Sequence, residues 1–280
     1  MNSGAGRNDQ LPLVIDPEVL STLLGAEDLL IVDLSKAAVH AAGHIPGAVH
    51  LDYARLVAKR GPAAGLVPDP EALSEALAGI GLTPNCRVVA YDDEGGGRAG
   101  RLLWTLDLVG HPCSSVLNGG LHAWANEGYP LDTATTERPR SGYEAVIRGD
   151  CRAEHDYIRE NLGNPDVVLV DTRTAEEYQG AKRLAARGGH IPGAVHMDWV
   201  TAMDPSRNLR LKSEPILRAM LVERGVLPER EVIVYCQTHH RSSHTYVVLR
   251  SLGYPRVKGY PGAWSEWGNL PDAPIESYQG

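Results

Sequence analysis

No stretch of this 280-residue chain approaches the roughly 18 uncharged apolar residues that a membrane helix requires. Residues 1–10 are polar and glycine-rich, with no apolar core behind a basic start, so no secretory leader is expected. Cysteine is scarce: Cys86, Cys113, Cys151 and Cys236 lie far apart, without a C-x-x-C pair. Such spacing argues against a disulfide framework or a zinc ribbon and predicts reduced thiols in a cytoplasmic protein. A basic run is also missing, and 27 Lys/Arg against 35 Asp/Glu leave a net charge of -8. Nucleic acid and membrane surfaces are therefore not the expected partners, and small-molecule chemistry is. The deficit is uneven. Residues 1–150 hold 11 basic and 19 acidic side chains and residues 151–280 hold 16 of each, so the second half receives an anion more readily. A composition of 43% hydrophobic and 22% charged residues excludes a disordered chain, and the length suits two ordinary domains.

The chain repeats itself. HIPGAVH stands at 44–50 and again at 190–196, an offset of 146 residues. Flanking runs recur in the same order: LLIVD at 29–33 with VVLVD at 167–171, RVVAYD at 87–92 with EVIVYC at 231–236, and GGLHAW ending at Trp124 with GYPGAW ending at Trp264. Each Val/Leu/Ile run is too short for a helix and lacks alternation, as expected of a parallel strand buried on both faces. Helical segments are expected after Asp69-Pro70, after Ser213 with Pro215, and over 98–109 and 242–252. Strands alternating with helices predict two α/β domains, each a central, mainly parallel sheet flanked by helices. The polar, proline-bearing stretch within 133–150 reads as the connection. The boundaries drawn are 1–140, a linker at 141–152, and 153–280.

A duplication is its own control, because features common to both halves serve the fold and features unique to one are candidates for function. His44, His50, His190, His196, Trp124 and Trp264 occur in both halves and are expected to be structural. The halves part at YDDEGGGRAG against YCQTHHRSSH, where Asp92 stands in the place of Cys236. A cysteine at the carboxyl end of a central parallel strand lies where open α/β sheets place ligands. Backbone N–H groups of residues 237–241, a helix N-terminus and Arg241 would stabilise its thiolate. Lowering a thiol pKa from about 8.5 to about 6.5 takes only roughly 2.7 kcal/mol.

These residues resemble the tandem-domain rhodaneses, the thiosulfate and mercaptopyruvate sulfurtransferases. HIPGA and GYPGAWSEWG resemble the family's two signatures, Cys236 opens a six-residue loop ending at Arg241, and Asp92 marks a catalytically silent first domain. The resemblance implies a sulfurtransferase that needs no metal or organic cofactor. Cys236 would take the outer sulfur of a small anionic donor as a persulfide and pass it to cyanide, a thiol or a protein acceptor. Gln237, Thr238, His239, His240, Arg241 and Trp199 are the expected binding residues. The loop CQTHHR resembles a bacterial thiosulfate subgroup, and Glu177 stands where mercaptopyruvate enzymes carry a carboxylate-binding arginine. Thiosulfate is the expected donor, and Glu177→Arg is expected to narrow the gap to mercaptopyruvate. A carrier without turnover and a mercaptopyruvate enzyme are the alternatives. A related phosphatase would need a seven-residue loop. Gly95-x-Gly97-x-x-Gly100 matches a dinucleotide fingerprint, but the next strand ends in Asn118 rather than an acid, so a plain turn is expected. Arg98 and Arg101 leave a weak anion site open there. Cys236, His239, His240 and His244 lack the carboxylate or second thiol that would complete a metal site.

Overall fold

The computed structural model describes residues 11–277; the reading of residues 1–10 lies outside them. In the first half the strands are β1 (Val14–Ile15), β2 (Leu29–Asp33), β3 (Val49–His50), β4 (Ala58–Arg60), β5 (Ala63–Leu66), β6 (Arg87–Tyr91) and β7 (Ser114–Leu117). Its helices are α1 (Pro17–Leu23), α2 (Ala37–Ala42), α3 (Pro70–Gly79), α4 (Gly97–Leu108) and α5 (Gly120–Asn126). The second half contributes β8 (Val167–Asp171), β9 (Val195–His196), β10 (Met203–Asp204), β11 (Arg210–Leu211), β12 (Glu231–Tyr235) and β13 (Val257–Gly259). With them come α6 (His155–Glu160), α7 (Ala175–Gln179), α8 (Glu214–Glu223), α9 (Arg241–Ser251) and α10 (Ala263–Trp267).

Two parallel sheets result, ordered β1-β7-β6-β2-β3 and β13-β12-β8-β9. The hairpins β4–β5 and β10–β11 are antiparallel additions. Successive strand residues point to opposite faces. Leu29, Ile31, Val89 and Tyr91 accordingly enter one core while Leu30, Val32, Val88 and Ala90 enter another. The second sheet divides Leu169, Ile233 and Tyr235 from Val168, Val170, Val232 and Val234 in the same way. Burial on both faces is why these runs show no alternation.

One core is shared between the halves. It joins the inner faces of both sheets through α4, with Leu102, Leu103 and Trp104, and α9, with Tyr246 to Leu249. A helix buried all round belongs to an interior, and in α9 every residue from Ser242 to Leu249 is buried. The two helices touch at Gly100, where a Cβ would stand 2.9 Å from the Ser243 carbonyl oxygen and the His244 nitrogen. Polar ties fix the same seam. Arg210 pairs with Asp16, Glu18 and Glu127, and the Tyr246 hydroxyl donates to Asp107 at 2.8 Å. Residues 133–150 carry no helix or strand and are pinned along the first half, with Ala145 N–H donating to Ser74 Oγ at 2.8 Å.

The helix starts follow their sequence signals. Asp69 caps α3 by accepting from Ala72 N–H at 2.8 Å, whereas Ser213 precedes α8 without a side-chain cap bond. The repeated histidines bond backbone carbonyls: His44 meets His40 O and Ala134 O, His190 meets Tyr178 O, His50 meets Ser35 O and His196 meets Arg173 O. Trp124 and Trp264 anchor Pro130 O and Arg187 O. Among the described residues no helix is long and apolar enough to cross a membrane.

Candidate active site

Cys236 follows the last residue of β12 and α9 begins at Arg241, so the intervening loop sits at the carboxyl end of the sheet, facing the seam. The loop's first carbonyls are turned outward, with Cys236 O accepting from Trp264 N–H and Gln237 O from Ser265 N–H, both at 2.9 Å. His239 takes the left-handed backbone conformation, φ 53°, that completes the curl. Few non-glycine residues adopt it, and it turns the following amides inward. The Cys236 sulfur is buried, which by itself raises a thiol pKa. The Arg241 charge, the Ser242 hydroxyl and the N–H groups of Ser242 and Thr238 outweigh that burial and hold the pKa below its ordinary value.

The first half contains the same cradle, already filled. Asp92 accepts from the N–H groups of Glu94 (3.0 Å), Gly96 (2.8 Å), Arg98 (2.9 Å) and Ala99 (2.9 Å). In the repeat alignment Glu94 and Arg98 correspond to Thr238 and Ser242, so equivalent amides face a carboxylate in one half and a sulfur in the other. The glycines of the fingerprint lie along the seam between the halves. Gly97 lies against Glu94 and His240, and Gly100 lets α4 meet α9.

The structure sorts the predicted loop side chains. Gln237 Nε2 donates to Leu184 O at 3.0 Å. Thr238 lies beneath the β4–β5 hairpin, where a Cβ on Gly65 would collide with its carbonyl oxygen. His239 departs from the expectation of a donor-binding side chain. Its ring points into the seam, fully buried, 4.5 Å edge-on from Trp104, with Nδ1 2.7 Å from Ser242 Oγ. Burial holds its pKa well below the usual histidine value, so the ring is neutral. With the proton on Nδ1 it donates to Ser242 Oγ and frees that hydroxyl's proton for the sulfur.

His240 turns the other way and bonds Glu94 of the first half. Burial lowers its pKa, but the hydrogen bond and charge of Glu94 raise it further, and the result lies above the ordinary value. Arg241 is held by Glu177 through Nη1 at 2.7 Å and Nη2 at 2.9 Å. Burial raises the Glu177 pKa and Arg241 more than reverses this, bringing it to about 2. Trp199, on a 3-10 turn, lies 6.2 Å from His240 and 5.4 Å from His244 between ring centroids. Among the described residues no group of three or more His, Cys, Asp or Glu is placed to hold a metal ion. His239 and His240 point apart, and burial brings the His244 pKa down to about 4.

Sequence reasoning passed over Tyr53, Glu94, Ser242 and Trp104. Tyr53 had a signal, being the repeat counterpart of Trp199, and the two aromatics flank His240, with Tyr53 at 5.3 Å. Glu94, which reaches His240 from the other half, carried no such mark.

Known proteins resemble this chain over most of its length. The model of the rhodanese-like domain matches residues 16–127 and again 154–270. A thiosulfate sulfurtransferase of Azotobacter vinelandii is 47% identical over 267 residues, 95% of this chain and 97% of that protein. One from Pseudomonas aeruginosa is 45% identical, with coverage of 95% and 97%. The sulfur carrier protein TtuD of Thermus thermophilus is 34% identical, covering 93% and 91%. The solved structure of YnjE shares the fold, with a TM-score of 0.86 at 22% identity over 96% of this chain and 69% of that one.

Proposed function

The chain belongs to the rhodanese family with the domain present twice, a sulfur-transferring enzyme, and from that premise we propose that it takes the sulfane sulfur of thiosulfate onto Cys236. The Sγ thiolate attacks the outer sulfur, a Cys–S bond forms, the S–S bond of the donor breaks, and the electron pair leaves with sulfite. No proton need move. A nucleophilic acceptor, cyanide in the laboratory or a thiol, then attacks the outer persulfide sulfur and returns the Cys236 thiolate. In this reading residues 1–140 are the silent half, 141–152 the linker and 153–280 the catalytic half.

The observation that carries the reading is the paired cradle. The amides that receive the Asp92 carboxyl oxygens have repeat counterparts in Thr238 and Ser242, and these, with Arg241, bring the Cys236 pKa down against its burial, so the loop favours a negative charge at the sulfur. Inward N–H groups stabilise the thiolate before transfer and the persulfide after it. Thiosulfate is favoured over mercaptopyruvate by the relatives, since the proteins 47% and 45% identical to this chain are thiosulfate sulfurtransferases.

The test is intact mass after thiosulfate, with and without cyanide, beside steady-state thiocyanate formation. One added sulfur on Cys236, removed by cyanide with continued turnover, is expected. Loading without turnover would support the carrier reading that the TtuD relationship raises. No loading would overturn thiosulfate as donor.

A further inference from the structure

The cations around Cys236 are not equally free. Arg241 is matched by Glu177, His240 by Glu94, and Arg98, in the first turn of α4, by Asp93 and Glu94. Arg101, one turn further along α4, differs. It is fully buried, and its hydrogen bonds run from Nη2 to Leu56 O at 3.1 Å and Leu66 O at 3.2 Å, while Nε and Nη1 have no partner. Its guanidinium lies 4.7 Å from the centre of the Trp104 ring, which offers far less than a carboxylate. A guanidinium in such surroundings is strongly disfavoured until an anion completes it.

A second unpartnered donor lies beside it. The Tyr53 hydroxyl is buried without a hydrogen bond, and its ring leans on His240 of the catalytic loop. Burial pushes the Tyr53 phenol up to about 12, so at neutral pH it is a neutral donor. Arg101 borders the same loop: Trp104, which its guanidinium faces at 4.7 Å, meets the His239 ring at 4.5 Å, and Leu56, which accepts from Arg101, lies on the turn Tyr53–Leu56 that carries Tyr53. Both donors come from the half that carries no nucleophile.

We propose that Arg101 and the Tyr53 hydroxyl form an oxyanion subsite on the first-domain side of the Cys236 loop, receiving sulfonate oxygens of thiosulfate and then those of departing sulfite. The assignment rests on the thiosulfate reading above. Two free guanidinium nitrogens and a hydroxyl match an oxyanion whose oxygens are attached to the atom bonded to the transferred sulfur. Charge grows on that group as the S–S bond breaks, and the subsite supplies the positive charge that the paired loop cations have largely spent on their carboxylates. The silent half thereby becomes part of donor recognition.

The experiment compares the full-length protein with Arg101→Met, Arg101→Lys and Tyr53→Phe. Its readouts are the thiosulfate KM, product inhibition by sulfite, and the rate at which cyanide discharges preloaded persulfide. Arg101→Met is expected to raise the KM and the sulfite inhibition constant about tenfold or more, with partial recovery in Arg101→Lys. Tyr53→Phe should raise both about threefold, and cyanide discharge should stay within about twofold. Unchanged sulfite inhibition, or equal losses in both half-reactions, would overturn the subsite. If Arg101→Met does not fold, Tyr53→Phe decides alone, since it removes a single oxygen. Were the wild type inert toward thiosulfate, the donor reading would fall by itself. Calorimetric binding of sulfite would then decide the subsite, upheld if Arg101→Met loses it and overturned if binding persists.

Discussion

Glu177 grips Arg241 through both terminal guanidinium nitrogens, at 2.7 and 2.9 Å. The residue that stands where mercaptopyruvate enzymes carry a carboxylate-binding arginine is thus the clamp that orients the loop's own arginine. Glu177→Arg would set two guanidinium groups against each other, so its expected effect is lost activity toward thiosulfate and mercaptopyruvate alike. A narrowed preference with retained turnover would restore the simpler reading. Glu177→Gln keeps the shape and frees the charge, so a lower thiosulfate KM with a lower Tm is expected. The Glu177 pKa is depressed, hence its contribution is present above the unfolded carboxylate pKa and fades as pH falls toward about 2. The stability gap to Glu177→Gln, about 2 kcal/mol at neutral pH after allowing for solvent at the pair's outer edge, should close between about pH 5 and pH 2.

Cys236→Ser should lower sulfur transfer at least about a thousandfold, because a hydroxyl cannot carry the persulfide. Cys86 and Cys151 are buried, and burial pushes the Cys151 thiol up to about 12, which keeps it protonated. Replacing Cys86, Cys113 or Cys151 is expected to leave thiocyanate formation within about twofold of wild type. Since Cys236 is itself buried, small anions rather than bulky alkylating reagents are the right probe of it. Substantial turnover in Cys236→Ser would remove the mechanism.

The repeat made most of this architecture readable. Uniform apolar runs announced strands with a core on each side, and the swap of Asp92 for Cys236 marked the loop in which the two halves differ. What stayed hidden was the meeting of the two halves. Glu94 and Tyr53 meet His240 across the seam where α4 packs on α9 at Gly100, and no local pattern records which faces of two domains will pack. His239 and His240 are neighbours of the same chemical type, yet the left-handed turn at His239 sends one ring into the seam and the other toward Glu94. Periodicity carries no information about that divergence.

The β4–β5 hairpin gives a test of the seam. Gly65 lies so close over the Cys236 loop that any side chain there must displace either the hairpin or Thr238. Gly65→Val is expected to cost about 1–3 kcal/mol of stability. It should also reduce donor-side kcat/KM more than about tenfold, because Thr238 N–H is one of the groups that hold the thiolate. Wild-type values in both measurements would show that the hairpin does not press on the loop.

The pH dependence of the donor half-reaction separates the two histidines. His240 has a raised pKa, so it is protonated below that value and loses its charge as pH rises through it. The anionic donor then meets less positive potential while the thiolate fraction does not fall. Donor-side kcat/KM should therefore decline on the alkaline side in the wild type and lose that decline in His240→Asn. Glu94→Gln removes the carboxylate that raises the pKa and leaves burial in control, which moves the decline to lower pH. The stability linkage has the same sign: the pair's contribution is full below the unfolded histidine pKa of about 6.5 and is lost as pH rises through the raised folded value. The Tm gap between wild type and Glu94→Gln should accordingly be larger at pH 6 than at pH 9. His239 behaves otherwise, since its ring is neutral across this range and acts through Ser242. His239→Asn should leave the alkaline decline in place and raise the Cys236 pKa, read from the acid limb of the same profile, because the Ser242 hydroxyl loses the partner that aims it. Superimposable profiles for wild type and His240→Asn would leave Arg241 and the inward amides as the loop's whole contribution to the anion site.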